Sequence, residues 1–446
     1  MRISNFISAF ISLILLVGLN SCRPGQEERS KVLKIYNWAD YIDEDVLAEF
    51  PAWYKEQTGE DIRIVYQVFD INEIMLTKIE RGHEDFDVVC PSEYIIERML
   101  KKDLLLPIDR HLGTTPDYLK NLSPFIVREL NKTSQPNRVT SFYAVPYMWG
   151  TAGMLFNTKF VSLEEASTWQ CLWDERNRNR ILMKDSYRDA YGTAVIWGNR
   201  KELSEGKVTV EDLMNDNSDA SIAMAEKLLK EMKPNIAGWE ADFGKEMMTK
   251  GKTWLNFTWS GDAVWAIEEA AAVGVELDYV VPREGSNIWY DGWVIPRYAR
   301  NPKAASYFIN YLCQADVALR NMDAIGYVSA VATPEIMEAK RDTTLDKFSD
   351  LSYFFGDIEG ADSLQIDPIQ YPDRNVVERC AMIRDFGPRT EYVLEMWSRV
   401  KGDNLNTGIV LLIFAVFGLL FVWMVYQKFK KFRKKRKQRK RRMRNY

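Results

Sequence analysis

Two short stretches carry the residues best suited to chemistry: Trp259-Ser260-Gly261-Asp262 and Trp289-Tyr290-Asp291. Each sets an indole close to a carboxylate. A flat π face near an anion suits an organic cation, because the ring quadrupole and the carboxylate both attract positive charge. The plainer alternative is that Asp262 caps a helix and Trp259 packs in a core. Signatures of catalysis are missing. The sequence has no Gly-x-Ser-x-Gly, no His-Glu-x-x-His and no phosphate loop, and its only histidines are His83 and His111. Beyond Cys22, the cysteines Cys90, Cys171, Cys313 and Cys380 show no CxxC spacing. That disfavours zinc and suits buried free thiols, although export would permit a disulfide. Neither a metal nor a cofactor is expected.

The first motif follows a turn at Lys250-Gly251-Lys252 and a short apolar run, Trp254 to Phe257. The pattern predicts a strand, a tight glycine turn and a helix over 263–272. The second motif falls at another strand end. Ligands of α/β proteins bind at such ends. The rest of the chain supports that class. Strands are predicted at 33–38, 62–66 and 86–90, with helices at 43–57, 72–81 and 93–101 between and after them. Asp43 is the expected cap of the first helix, Thr58-Gly59 its end, and Pro51 a possible kink or break. Pro146-Tyr147-Met148-Trp149-Gly150 marks a crossing into a second lobe. That lobe continues through the apolar run Ala152 to Asn157, the strand-like Leu182 to Ser186 and an amphipathic helix over 220–232. Further helices are expected at 303–313 and 316–322, with helices and loops over 334–400. Alternating strand and helix at this spacing means α/β with parallel sheet.

Charge is unevenly spread over the 446 residues. The formal net charge is −4, but 13 of the 59 Lys and Arg lie in Lys428–Arg444, where no acid accompanies them. With Arg2 also set aside, residues 22–407 hold 45 basic and 63 acidic residues, a net of −18. An acidic body attracts cations and argues against nucleic acid as a partner. At the N-terminus, Arg2 and the apolar run Phe6 to Val17 read as a targeting segment. The tetrad Leu19-Asn20-Ser21-Cys22 resembles a lipobox, which makes Cys22 the lipidated first residue after cleavage. An ordinary cleaved signal peptide is the alternative. Residues 408–426 carry no charge over a length of about 28 Å, close to a bilayer core. Trp423 and Tyr426 suit an interface, and the basic block suits a cytoplasmic tail that touches anionic lipid.

Several stretches together resemble the bacterial polyamine-binding proteins, the spermidine/putrescine receptors of ABC importers. They are Tyr36-Asn37-Trp38-Ala39-Asp40-Tyr41-Ile42, Val68-Phe69-Asp70-Ile71-Asn72-Glu73, Phe86-Asp87-Val88-Val89 with Pro91-Ser92, and Pro146-Tyr147-Met148-Trp149. Trp259-Ser260-Gly261-Asp262, Trp289-Tyr290-Asp291 and Ile325-Gly326-Tyr327 continue the match in the same order, from about Leu33 to about Gly402.

The resemblance implies the type II periplasmic-binding-protein fold, two α/β lobes joined by crossing strands and closing on a ligand by hinge motion. Its boundaries would be a signal peptide at 1–21, a tether at 22–30, and one lobe at 31–145 completed by about 292–332. The second lobe would be 146–291 completed by about 333–402; the membrane helix at 408–426 and the tail at 427–446 are read from the sequence itself and are not part of the usual soluble receptor. It implies that Trp38, Tyr41, Ser92, Tyr94, Trp259, Asp262, Trp289, Asp291 and Tyr327 line the pocket. Asp189 falls where the family has an acid, usually Glu, and Asp40 matches an aspartate of putrescine-type receptors at the pocket edge. Chemistry agrees with this set: each ammonium that leaves water needs a carboxylate, while rings hold the methylenes. Asp262 and Asp291 are expected at one end of the ligand and Asp189 at the other, with Ser92 and tyrosine hydroxyls as neutral acceptors. Ser186 stands where spermidine receptors tend to have a further carboxylate, and Ala39 replaces a small hydroxyl residue. Fewer acids lean towards putrescine. The implied partners are a polyamine, the permease and ATPase of an importer, and the membrane. A membrane-anchored sensor built on the same cleft is the main alternative, and a glycosidase-like enzyme using the paired acids is a weaker one.

Overall fold

In the computed structural model, which describes residues 29–240, 243–402 and 423–424, the strand–helix alternation of the first hundred residues folds as a parallel layer. Strand β1 (Val32–Trp38) pairs in parallel with β2 (Arg63–Phe69), from Val32↔Arg63 to Trp38↔Phe69, and with β3 (Val88–Val89) at Ile35↔Val88. Most of β1 is buried on both faces, as a parallel interior strand must be. Helix α1 (Glu44–Thr58) follows β1. Asp43 caps it by accepting from the Asp45 N–H at 2.8 Å, and Gly59 closes it in the left-handed conformation at φ 75°. The helix runs through Pro51 without a break. Helices α2 (Asn72–Glu80) and α3 (Glu93–Lys101) complete the alternation, close to the predicted spans.

Two long strands carry the chain from this layer into the next. All fourteen residues of β4 (Ala144–Asn157) are buried, as are all eleven of β9 (Ser286–Pro296). They run antiparallel, with Trp289 opposite Gly150 and Asp291 opposite Met148. Beyond β4 lie β5 (Ile181–Lys184), β6 (Ile236–Glu240), β7 (Leu255–Trp259) and β8 (Leu277–Val280). Strand order along the sheet is β2-β1-β3-β9-β4-β7-β5-β6. Parallel strands β2-β1-β3 thus build one lobe and β7-β5-β6 the other, while β4 and β9 belong to both. Helix α4 (Tyr187–Gly198) follows β5, and α5 (Ser260–Ala272) follows β7. Helices α6 (Pro302–Tyr311) and α7 (Ala315–Ile325) follow β9.

Two sequence expectations change. No glycine turn separates β7 from its helix: Trp259 is itself the N-cap residue, Gly261 lies in the first helical turn, and Asp262 does not cap. Asp291 is not at a strand end either. It sits inside β9, where the register with β4 shifts between Asp291 and Gly292. Such an irregularity re-aims a side chain in the middle of a strand.

The chain divides into one unit up to Thr390 and a second from Glu391, and the helix Thr390–Gly402 starts at that boundary. The targeting segment, Cys22, most of 408–426 and the basic tail lie outside the described residues. Among the described residues no helix is long and apolar enough to cross a membrane.

Candidate ligand site

The centre of the site is the Asp291 carboxylate. Its strand is held by the Gly292 N–H, which donates to the Pro91 carbonyl at 3.0 Å. Ser92 occupies the N-cap position of α3 but makes no side-chain cap, because its hydroxyl donates instead to Asp291 Oδ1 at 2.7 Å. The Tyr41 hydroxyl donates to Asp291 Oδ2 at 2.9 Å. Tyr41 is held by the end of β1, where the Asn37 amide donates to the Tyr41 carbonyl at 3.1 Å. Asp291 is 7 % exposed and forms no ion pair among the described residues. Burial pushes its carboxyl up to about 6, against which the Ser92 and Tyr41 hydrogen bonds pull down.

An aromatic wall extends from this carboxylate. Tyr41 meets Tyr327 edge-on at 5.6 Å, Tyr327 meets Trp289 at 5.4 Å, and Trp289 meets Trp259 at 6.4 Å between ring centroids. Tyr327 follows Gly326, which ends α7 in the left-handed conformation. A side chain at position 261 would collide with the Tyr327 ring, which is why the first turn of α5 needs glycine there.

Asp189 lies at the start of α4, whose cap is the Ser186 side chain. Its carboxylate accepts from the Asn287 amide at 3.0 Å and faces the Trp259 indole N–H, and burial raises its pKa. Asp262 differs. Lys184 Nζ lies 2.7 Å from its Oδ2, Lys245 Nζ lies 3.7 Å from its Oδ1, and Lys184 also reaches Glu240 at 3.2 Å. Burial alone would raise the Asp262 pKa, but the Lys184 and Lys245 charges hold it below the usual carboxylate value. Asp262, expected beside Asp291 at one end of a ligand, already faces two lysines of its own lobe.

Trp38 stands half-buried at the end of β1, its ring 4.5 Å from Phe69. Asp40 is exposed, with φ 49°, and makes none of the hydrogen bonds that join the cluster. Tyr94 sits beside it rather than in it. Its hydroxyl donates to Glu73 Oε1 at 3.1 Å, and the Asn72 amide links it to Ser92. Ser92 and Tyr41 act as donors to Asp291, where sequence reasoning expected acceptors for the ligand. Asn287 and Lys184 were given no role from the sequence, and Asn72 and Glu73 stood there only within the stretch Val68 to Glu73 that carries the resemblance. Lys184 left a signal there as a lysine ending the apolar run Ile181-Leu182-Met183.

The site is nearly shut off from water: Trp289 is 8 % and Tyr327 9 % exposed. A cavity of about 920 Å³ lies elsewhere, bordered by Ile288 on the other face of β9, and none of the candidate residues lines it.

Residues 52–341 match the model of the family described as bacterial extracellular solute-binding protein. The chain belongs to that family. It is 29 % identical to the spermidine/putrescine-binding periplasmic protein of Salmonella typhimurium, over 70 % of this chain and 80 % of that one. It is 30 % identical to the putrescine-binding periplasmic protein PotF of Escherichia coli, over 70 % and 82 %. Among solved structures it resembles a putative spermidine/putrescine ABC transporter protein from Listeria monocytogenes. That match has 29 % identity and a TM-score of 0.64, and covers 83 % of this chain and 99 % of that one. The fold of this solute-binding protein is thus the two-lobed periplasmic-binding-protein fold.

Proposed function

We propose that this solute-binding protein captures a polyamine between its lobes and hands it to the permease and ATPase of an ABC importer, without chemical change to the ligand. The observation that carries the reading is Asp291, a buried carboxylate with two neutral donors and, among the described residues, no cation paired to it, at the head of an aromatic wall. A buried anion of this kind is costly until a positive charge joins it. Asp189, buried and likewise without an ion pair among the described residues, offers a second seat beside Trp259. The rings between them suit the methylene chain and attract its ammonium ends. Trp38, Tyr94 and Asp40 would border the entrance. Entry requires the lobes to part about β4 and β9, since the wall is closed to water.

The protein would act on the extracytoplasmic face of the inner membrane, held by lipid on Cys22 and by a helix over 408–426, with the basic tail inside. Its lobes would follow the boundaries implied by the family. Calorimetry on the full-length protein tests the binding function. Putrescine or spermidine should release heat on binding while neutral sugars do not, and silence from every polyamine would end this reading.

A further inference from the structure

Lys184 is an unusual residue to find beside a cation site. It ends β5 at 1 % exposure, with Glu240 at 0 % beside it. Its ammonium lies 2.7 Å from Asp262 and 4.6 Å from the centre of the Trp259 ring. An ammonium that pairs with a carboxylate over an indole face is what a bound polyamine would present at the same place. Resting on the polyamine reading, we propose that Lys184 is a resident ammonium, which occupies the seat of a third ligand cation and tunes the site to diamines over triamines.

The charge count supports this. Among the described residues, Lys184 and Lys245 face Glu240 and Asp262, two cations against two anions. Asp291 and Asp189 remain without an ion pair, which matches two ammonium groups. Glu93 is a further buried acid; burial and the nearby Asp291 charge push its pKa up, while the Arg188 guanidinium pulls it down. Arg188, next to Asp189 in the chain, turns instead to the Phe386 ring at 3.6 Å and to the Arg384 carbonyl at 2.7 Å. A third ammonium would have to displace Lys184 from Asp262 inside the protein, leaving a buried charge short of partners.

The test is competition calorimetry on the full-length protein with putrescine and spermidine. The wild type should hold putrescine roughly tenfold or more tighter than spermidine. The double variant Lys184→Met with Lys245→Gln removes both lysines that face Asp262 and leaves that carboxylate for a ligand ammonium. Its preference should shift towards spermidine by about tenfold or more. The proposal is overturned by a wild type that takes both ligands equally, or by a folded double variant with an unchanged ratio. If the double variant does not fold, the wild-type ratio decides alone. A wild type that binds neither polyamine sinks the underlying reading as well, and is thereby told apart from a failure of Lys184 alone.

Discussion

Asp291 shows how a single residue can be set up for binding. Its carboxyl is raised from an ordinary 3.8 to about 6 because the protein removes water without supplying a cation. For an acid whose folded pKa is raised, the stabilising contribution is complete below the unfolded value and is lost as pH climbs through about 6. A polyamine binds the ionised form and removes that penalty. Putrescine affinity should therefore rise roughly tenfold between pH 5 and pH 7 and level off above. Asp291→Asn should weaken binding at pH 7 by about tenfold or more, the value of a hydrogen bond to a charged group. The same variant should flatten the pH profile. Titration calorimetry at several pH values checks both, and a variant with the wild-type profile would assign the proton to another group.

Among the elements, the joint between β1, β3 and α6 rests on Asp87. This carboxylate is wholly buried. It accepts from the Lys34 N–H at 2.9 Å, the Arg300 N–H at 2.8 Å and the Asn301 N–H at 2.7 Å, and it pairs with Arg29 at 2.9 Å. One side chain thus stands in for missing strand partners and positions the start of a helix, whose own cap is Asn301. Asp87→Ala leaves three backbone donors, that of Asn301 buried, and a guanidinium without their acceptor. Urea unfolding should show a loss of about 3 kcal/mol or more. A loss below about 1 kcal/mol would mean that water replaces the carboxylate easily.

The whole molecule turns on the two strands shared by its lobes, and closure needs contacts that bridge them. One such contact is Glu73 on α2, which accepts from Tyr94 on α3 and, at 3.0 Å, from Tyr187 on α4. Tyr187 belongs to the β5 side and Glu73 to the β2 side, so this hydrogen bond exists only while the lobes are together. Tyr187→Phe should loosen the closed form and speed putrescine release roughly two- to tenfold, the worth of one net hydrogen bond. Stopped-flow tryptophan fluorescence, with Trp38, Trp259 and Trp289 at the site, reads that rate. An unchanged rate would place the barrier to opening elsewhere.

The α/β class, most early helix and strand spans and the aromatic–carboxylate motifs were legible in the chain, because periodicity, caps and turn residues act over a few neighbours. Asp43 and Gly59 at the ends of α1 are examples. Three features of the site were not legible: the irregularity that aims Asp291 from inside β9, the hydroxyls that hold it, and the lysine that takes Asp262. Tyr41 reaches Asp291 across 250 positions of sequence, and Lys184 reaches Asp262 across 78. A carboxylate reads the same in sequence whether a lysine or a ligand will neutralise it. The choice is made only when crossing strands bring distant charges together away from water, where each one must find a partner.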